Sequence, residues 1–146
     1  MKLTVKKLED MSTLELLHVL QQRVAVFVVE QNCPYQEIDE LDERALHIWL
    51  SEEEDIVAYA RVIPYERHTA FGRVLVNEDY RGNGYGQKIV AATIAYIREH
   101  DFAQRIEISA QAYLEGFYKN FGFLAISEVY LEDDIPHIVM ELDKNN

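Results

Sequence analysis

The sequence contains few of the features that mark exported or membrane proteins. It has a single cysteine, Cys33, which excludes an internal disulfide and fits a reducing cytoplasm, the location that we expect. No apolar run approaches the ~20 residues of a membrane span, and residues 1–7 lack the apolar segment of a signal peptide. We therefore expect no membrane partner.

Basic residues are also scarce. The 14 Lys and Arg are outnumbered by 26 Asp and Glu, for a formal net charge of −12. This balance argues against nucleic acid, because binding there is driven by cations that neutralise phosphates. An acidic surface favours cationic partners such as amines, although solubility explains it as well. The histidines show no His-x-x-His or His-x-x-x-His spacing, so no metal site is predicted.

Apolar residues are plentiful, at 49% of 146 residues, which predicts a single domain over residues 1–146 with a substantial core. Ser12 and Glu15 form a capping box that starts a helix. Its core-facing stripe is predicted to be Leu16, Leu17, Leu20, Val24 and Phe27. The β-branched run at 26–29 predicts that this helix stops or distorts near Glu30.

The segment from Phe71 to His100 is predicted to be a strand, a glycine-rich turn and a long helix. The helix carries a buried stripe of Ile89, Val90, Ile94 and Ile97. Glycines in the turn allow close approach of the backbone, and the first amides of the helix lack intrahelical acceptors. Such a turn is typical of a phosphate site. The spacing from Gly82 fits neither a Walker turn nor a dinucleotide fingerprint.

The remaining pattern is Arg-x-x-Gly-x-Gly at Arg81, Gly84 and Gly86, which resembles the pyrophosphate loop of the GNAT N-acetyltransferases. A second motif follows in the order seen in that family, with Phe117, Tyr118, Gly122 and Phe123 in place. Gln111 stands where the family usually has Asn, and Leu114 where it usually has Ala. Residues 26–36, Tyr130 and residues 135–138 are similar to the ElaA subgroup, so the resemblance covers most of the chain.

The resemblance implies the mixed α/β fold of the GNAT family. This is a single mixed, mostly antiparallel sheet of about seven strands flanked by about four helices. The residues themselves predict an antiparallel meander of strands at 46–50, 56–65 and 71–76, with Pro64 near a strand end. A strand at 105–109 should pair in parallel with 71–76, because one helix separates them. A short helix at 113–120 and a hairpin of 123–130 with 136–142 complete the chain.

The resemblance also implies acetyl-CoA as co-substrate, without a metal. The loop amides and the Arg81 guanidinium would bind its diphosphate, while the strand before the loop and the second motif would contact the pantetheine arm. The cofactor-binding residues predicted in this way are Val74, Leu75, Val76, Arg81, Gly82, Asn83, Gly84, Tyr85, Gly86, Gln87, Gln111, Phe117 and Tyr118. A strand amide at 74–76 can polarise the thioester carbonyl.

Tyr118 is the predicted general acid, because a phenol with pKa near ~10 stays protonated at neutral pH and can protonate a leaving thiolate. The predicted base is open between Glu30 and His137, which is also a candidate acceptor contact, with His47 and Asp39 as further candidates. A dedicated base is not required where the amine arrives neutral. Cys33 with a histidine suggests an acyl-enzyme, but the family mechanism is direct attack.

The predicted function is transfer of an acetyl group from acetyl-CoA to a primary amine of an unidentified small molecule or peptide. The alternative is a domain that binds or senses acyl-CoA without turnover. A nucleotide-phosphate enzyme is disfavoured because the Lys and Mg²⁺-binding pattern is missing. A homodimer is among the expectations, since many small relatives dimerise.

Overall fold

Eight β-strands form one mixed sheet in the computed structural model, which describes residues 1–100 and 105–143. The spatial order is β1-β2-β3-β4-β5-β8-β6, and β7 also pairs with β8. β6 and β7 therefore act as one interrupted edge strand. The strands are β1 Lys2–Lys7, β2 Leu46–Glu52, β3 Asp55–Pro64, β4 Thr69–Val76, β5 Arg105–Gln111, β6 Leu124–Ala125, β7 Tyr130–Glu132 and β8 Ile135–Asp143.

Three α-helices accompany the sheet in the described residues: α1 Thr13–Val24, α2 Tyr85–Glu99 and α3 Glu115–Lys119. The mixed α/β fold is confirmed, with one helix fewer than expected. Between α1 and β2 the chain forms a π-helical segment, Ala25–Glu30, a loop over residues 31–39, here called the 30s loop, and a 3₁₀ turn, Glu40–Glu43. No helix within residues 1–100 and 105–143 is long and apolar enough to cross a bilayer.

The start of α1 is confirmed, but its predicted buried stripe is partly wrong. Ser12 caps the helix through the reciprocal bonds with Glu15. Leu17 and Val24 are 47% and 37% exposed, whereas Val19 and Arg23 are buried. α1 turns the face that carries Arg23 toward the sheet, because the Arg23 guanidinium bonds to the buried carboxylates of Glu37 and Asp42 there.

α1 continues directly into a π-helical segment, Ala25–Glu30, where the distortion was predicted. The π segment turns Phe27 into the core and leaves Glu30 at the surface. Wider turns of this kind often occur at functional sites. Here the segment brings Val26, Phe27 and Glu30 to the edge of a cleft.

The central strands form the predicted meander. β2, β3 and β4 pair antiparallel, and β3 ends at Pro64. β4 and β5 are parallel as predicted, but they pair only at Thr69↔Ile106 and Ala70↔Glu107. Beyond Ala70 the two strands separate, and β5 instead pairs along its whole length with β8.

Each face of the sheet has its own core. One core contains the predicted α2 stripe of Ile89, Val90, Ile94 and Ile97, together with aromatic residues around Phe123. The smaller core, under α1, contains Val19, Phe27, Trp49, Ile56, Tyr59 and Leu75. The separation of β4 from β5 opens a passage between these two faces.

Candidate active site

A cleft of about 830 Å³ opens where β4 and β5 separate. Its lining comes from both faces of the sheet, since Phe71 and Tyr118 belong to the α2 core and Phe27 and Leu75 to the α1 core. The glycine turn lies at one end. The 30s loop and the β7–β8 turn border the cleft on the α1 face.

The inner edge of β4, which no strand covers beyond Ala70, presents backbone groups to this cleft. Asn77 N donates to Val57 O at 2.8 Å, so the backbone of Asn77 is turned toward β3. Because backbone groups alternate between the two edges of a strand, those of Val76 and Val74 face β5. Arg81 Nε donates to Val76 O at 3.2 Å from that side, which agrees with this orientation.

β4 also contains a bulge next to this edge. Tyr59 pairs with Leu75 but Arg61 pairs with Gly72, so Arg73 and Val74 together oppose one residue of β3. Arg73 has φ of 51°, in the left-handed region, which is costly for a residue other than glycine. The bulge bends the strand away from β5 and aims the Arg73 side chain at the 30s loop.

The glycine turn has the geometry of an anion site. Gly82 and Gly84 have φ of 83° and 79°, and a Cβ at either position would meet no atom within 4 Å. The first helical bond of α2 that involves this turn runs from Lys88 N to Gly84 O, so the preceding amides have no intrahelical acceptor. The Asn83 side chain bonds to Tyr80 O and Arg81 O, which holds the turn in shape.

Arg81 is paired with Glu30 across the mouth of the cleft. Its Nη1 and Nη2 donate to the two Glu30 oxygens at 2.5 and 2.7 Å. This bond and the Arg81 charge lower the pKa of Glu30. A carboxylate held in this way is a weaker base than a free one, so the geometry favours Glu30 as an anchor for Arg81.

Tyr118 lies in the cleft at the base of α3 and is only 6% exposed. Its ring packs between Phe71, Phe117 and Phe123 at centroid distances of 5.0–6.4 Å. Burial raises the pKa of the phenol to about 12. The hydroxyl therefore stays protonated throughout the neutral range, as a proton donor must.

His137 lies on β8 with its ring in the cleft. Nδ1 is 2.7 Å from Ile135 O, which accepts, so Nδ1 carries the proton in the neutral ring. Nε2 is then an acceptor, 3.5 Å from Glu132 Oε2. In this tautomer Nε2 is the ring atom that can accept a proton, and the Glu132 carboxylate would stabilise a proton placed there.

The other residues considered as bases do not line the cleft. His47 is buried, and its Nδ1 accepts from the Tyr59 hydroxyl while Nε2 donates to Asp42 O. Burial lowers the pKa of His47, which keeps it neutral. Asp39 is bound to Arg61 at 2.8 Å. Cys33 reaches the cleft, but its Sγ donates to Asp133 O at 3.6 Å and not to a histidine.

A buried ionic network supports the wall of the cleft on the α1 face. Arg23 is fully buried, with Nε bonded to Glu37 and both terminal nitrogens bonded to Asp42 at 2.7 and 3.1 Å. Arg61 Nη1 donates to Asp39 and Asp42, and Arg73 contacts Glu37 and Asp39. Three guanidinium groups thus face three carboxylates. Glu40 and Glu43, in the same acidic stretch, are exposed.

Most of the predicted site residues lie along this cleft. They are Glu30, Val74, Leu75, Val76, Arg81, Gly82, Gly84, Tyr85, Gly86, Gln111, Phe117, Tyr118 and His137. Asn83 and Gln87 are not among its lining residues. Sequence reasoning missed Arg61, Arg73, Asp133 and Ser109, which come from separate segments and share no local motif. Within the described part of the chain, no group of three or more His, Cys, Asp or Glu is placed to hold a metal ion.

Comparisons with known proteins agree with this architecture. The chain is 42% identical over 136 residues to protein ElaA of Escherichia coli, which covers 90% of this chain and 89% of ElaA. The crystal structure of Escherichia coli ElaA matches with a TM-score of 0.93 and 39% identity, over 98% of this chain and 100% of that chain. An acyl-CoA N-acyltransferase from Pseudomonas aeruginosa matches with a TM-score of 0.90 and 36% identity, over 97% and 99%.

The family model for an acetyltransferase (GNAT) domain matches residues 10–144, which is nearly the whole chain. The opened pair of central strands, the glycine turn and the likeness to ElaA point to the same family. The chain belongs to the GNAT acetyltransferase family, in its ElaA-like subgroup.

Proposed function

We propose that the protein transfers the acetyl group of acetyl-CoA to a primary amine by direct attack. The observation that carries this proposal is the continuous cleft that joins the glycine turn, the free edge of β4 and the Tyr118 phenol. An extended thioester with a diphosphate at one end has the chemistry that this arrangement would bind.

The amides of residues 82–87 would hold the diphosphate, helped by the positive end of the α2 dipole. The inward-facing backbone groups of Val74 and Val76 would pair with the pantetheine arm. Arg81 would contact phosphate only by giving up or sharing its carboxylate partner, Glu30. Phe117 and Gln111 border the path of the arm.

In the reaction, the amine nitrogen forms a bond to the thioester carbon, and the carbon–sulfur bond then breaks. The Val74 amide, which is part of the bulge, would stabilise the oxyanion. Tyr118 would donate its proton to the departing sulfur, and His137 Nε2 would accept the proton that the amine loses. Burial makes the Tyr118 phenol a weaker acid, but desolvation of the departing thiolate would raise its basicity as well, which offsets that effect.

The test is thiol release from acetyl-CoA with a panel of primary amines, for the wild type and for Tyr118→Phe. We expect kcat to fall by roughly 10² or more in the variant, with little change in KM for acetyl-CoA. Tyr80→Phe is the matched control, because its hydroxyl bonds to Asp55 outside the cleft. Tight acetyl-CoA binding without amine-dependent release would instead support an acyl-CoA-binding domain without turnover.

A further inference from the structure

Among the arginines that line the cleft, Arg61 has the smallest exposed fraction, and it lies on the α1 face, where we expect the acceptor to bind. It is 5% exposed, and it lines the cleft. Its hydrogen bonds among the described residues all come from Nη1, to Asp39 and Asp42. Nε is buried and has no hydrogen-bond partner in that part of the chain. The Nε–Nη2 edge of a guanidinium can bind a carboxylate in bidentate fashion, as the Nη1–Nη2 end of Arg81 does with Glu30.

The space beside Arg61 is open. Gly72 is its partner on β4, and a Cβ at Gly72 would meet no atom within 4 Å. Paired residues point to the same face of a sheet, so Gly72 forms a floor beneath the Arg61 side chain. Gly72 is two positions before Val74, whose amide faces the proposed thioester. A small group bound to Arg61 is therefore close to the reacting carbon.

The β7–β8 turn, which also borders the cleft on the α1 face, carries the other charge. Its residues Glu132 and Asp133 line the cleft, and His137 Nε2 lies beside Glu132. These acceptors suit a primary amine, which arrives as an ammonium ion and must lose a proton before it attacks. This face of the cleft thus offers hydrogen-bond donors at Arg61 and acceptors at the β7–β8 turn.

We propose that the acceptor is an amine that also bears a carboxylate, and that Arg61 binds this carboxylate while the amine faces His137 and Glu132. This inference rests on the proposed function. Such a zwitterion fits the charges of both parts of the site. Arg23, Arg61 and Arg73 are already matched by Glu37, Asp39 and Asp42, so the carboxylate must bring its own positive charge, which then faces Glu132 and Asp133.

The experiment compares amino acids with the amines that lack only the carboxylate, in acetyl-CoA-dependent thiol release. Suitable pairs are leucine with isoamylamine, lysine with cadaverine, and phenylalanine with phenethylamine. We expect kcat/KM to favour the amino acid in at least one pair by between about 10-fold and 100-fold, as for a lost charge-assisted hydrogen bond.

Arg61→Lys tests the assignment of this preference. Lysine keeps a positive charge beside Asp39 and Asp42 but lacks the bidentate edge. In this variant, kcat/KM for each amino acid should therefore be within about threefold of kcat/KM for the paired amine. Arg105→Lys is the matched control, because Arg105 Nε is also buried and has no hydrogen-bond partner among residues 1–100 and 105–143, but Arg105 does not line the cleft. Gly72→Leu, which fills the open floor, should raise KM for the amino acid while circular dichroism shows an intact fold.

The outcomes separate this inference from the proposed function. Release with amines but without a preference for the carboxylate overturns the inference and leaves the acetyltransferase proposal standing. A preference that persists in Arg61→Lys overturns the role of Arg61. If no amine gives release, the acetyltransferase proposal fails. Calorimetric titration of leucine and isoamylamine into CoA-saturated protein then decides the carboxylate preference directly, and equal affinities overturn it.

Discussion

We call the wall of the cleft on the α1 face the acceptor wall, because we propose that the acceptor binds there. Asp42 should be the carboxylate on which the stability of this wall depends most. It is buried, accepts from Arg23 at 2.7 and 3.1 Å, and accepts from Arg61 at 3.1 Å. Burial by itself raises its pKa, but the hydrogen bonds and charge of Arg23 outweigh that effect and lower the pKa to about 2. We predict that Asp42→Asn destabilises the protein strongly at neutral pH.

The magnitude follows from the pKa. A pKa of about 2, against an ordinary value of 3.8, means that ionisation of Asp42 contributes about 2 kcal/mol at neutral pH. Because the pKa is lowered on folding, this stability is complete above the ordinary value and is lost as the pH falls through about 2. Asparagine also leaves Arg23 with one carboxylate fewer, so the total loss should be about 3–5 kcal/mol.

Urea unfolding of the wild type and Asp42→Asn, at neutral pH and near pH 3, provides the measurement. The difference in free energy of unfolding should shrink by about 1 kcal/mol at the lower pH, where wild-type Asp42 has lost part of its contribution. Glu43→Gln, an exposed neighbour in the same turn, should change little. An Asn variant as stable as the wild type, or a difference that does not shrink in acid, would refute the reasoning.

Two further substitutions test the cleft. Glu30→Gln removes the charged partner of Arg81. We expect calorimetry to show that CoA binds a few-fold more tightly to this variant, because its phosphates no longer compete with a carboxylate for Arg81. Weaker binding would show that Glu30 holds Arg81 in the position that binds phosphate. His137→Gln removes the acceptor Nε2, so kcat should fall by roughly 10² at neutral pH and by much less at alkaline pH, where the amine is already neutral. An equal loss at both pH values would show that His137 is not the base.

The features that sequence reasoning predicted correctly depend on neighbours in the chain. The α2 stripe at Ile89, Val90, Ile94 and Ile97 follows from helical period alone, and all four residues are buried. The capping box at Ser12 needs only two residues three positions apart. The glycine turn is equally local, because its left-handed φ values at Gly82 and Gly84 demand glycine.

The acceptor wall was not predictable in this way. Arg23 lies on the buried face of α1, where the hydrophobic pattern had predicted the apolar residues Leu17 and Val24 instead. It is buried only because Glu37 and Asp42 arrive from a loop 14 and 19 residues further on. Arg73 was missed for a similar reason, because a bulge moved it out of register and toward Glu37. These ion pairs depend on tertiary contacts between distant segments, and a hydrophobic pattern in the sequence cannot predict such contacts.

The two sides of the cleft therefore differ in how they can vary. The donor side is built from backbone amides of β4 and the glycine turn, which most side-chain substitutions leave in place. The acceptor side is built from side-chain charges whose burial is tolerable only while every partner is present. Exchange of a single member, such as Asp39, would leave Arg61 short of a counter-charge and change what the wall can bind. Differences in acceptor among related chains should thus appear as coordinated changes within this network, with the glycine turn unaltered.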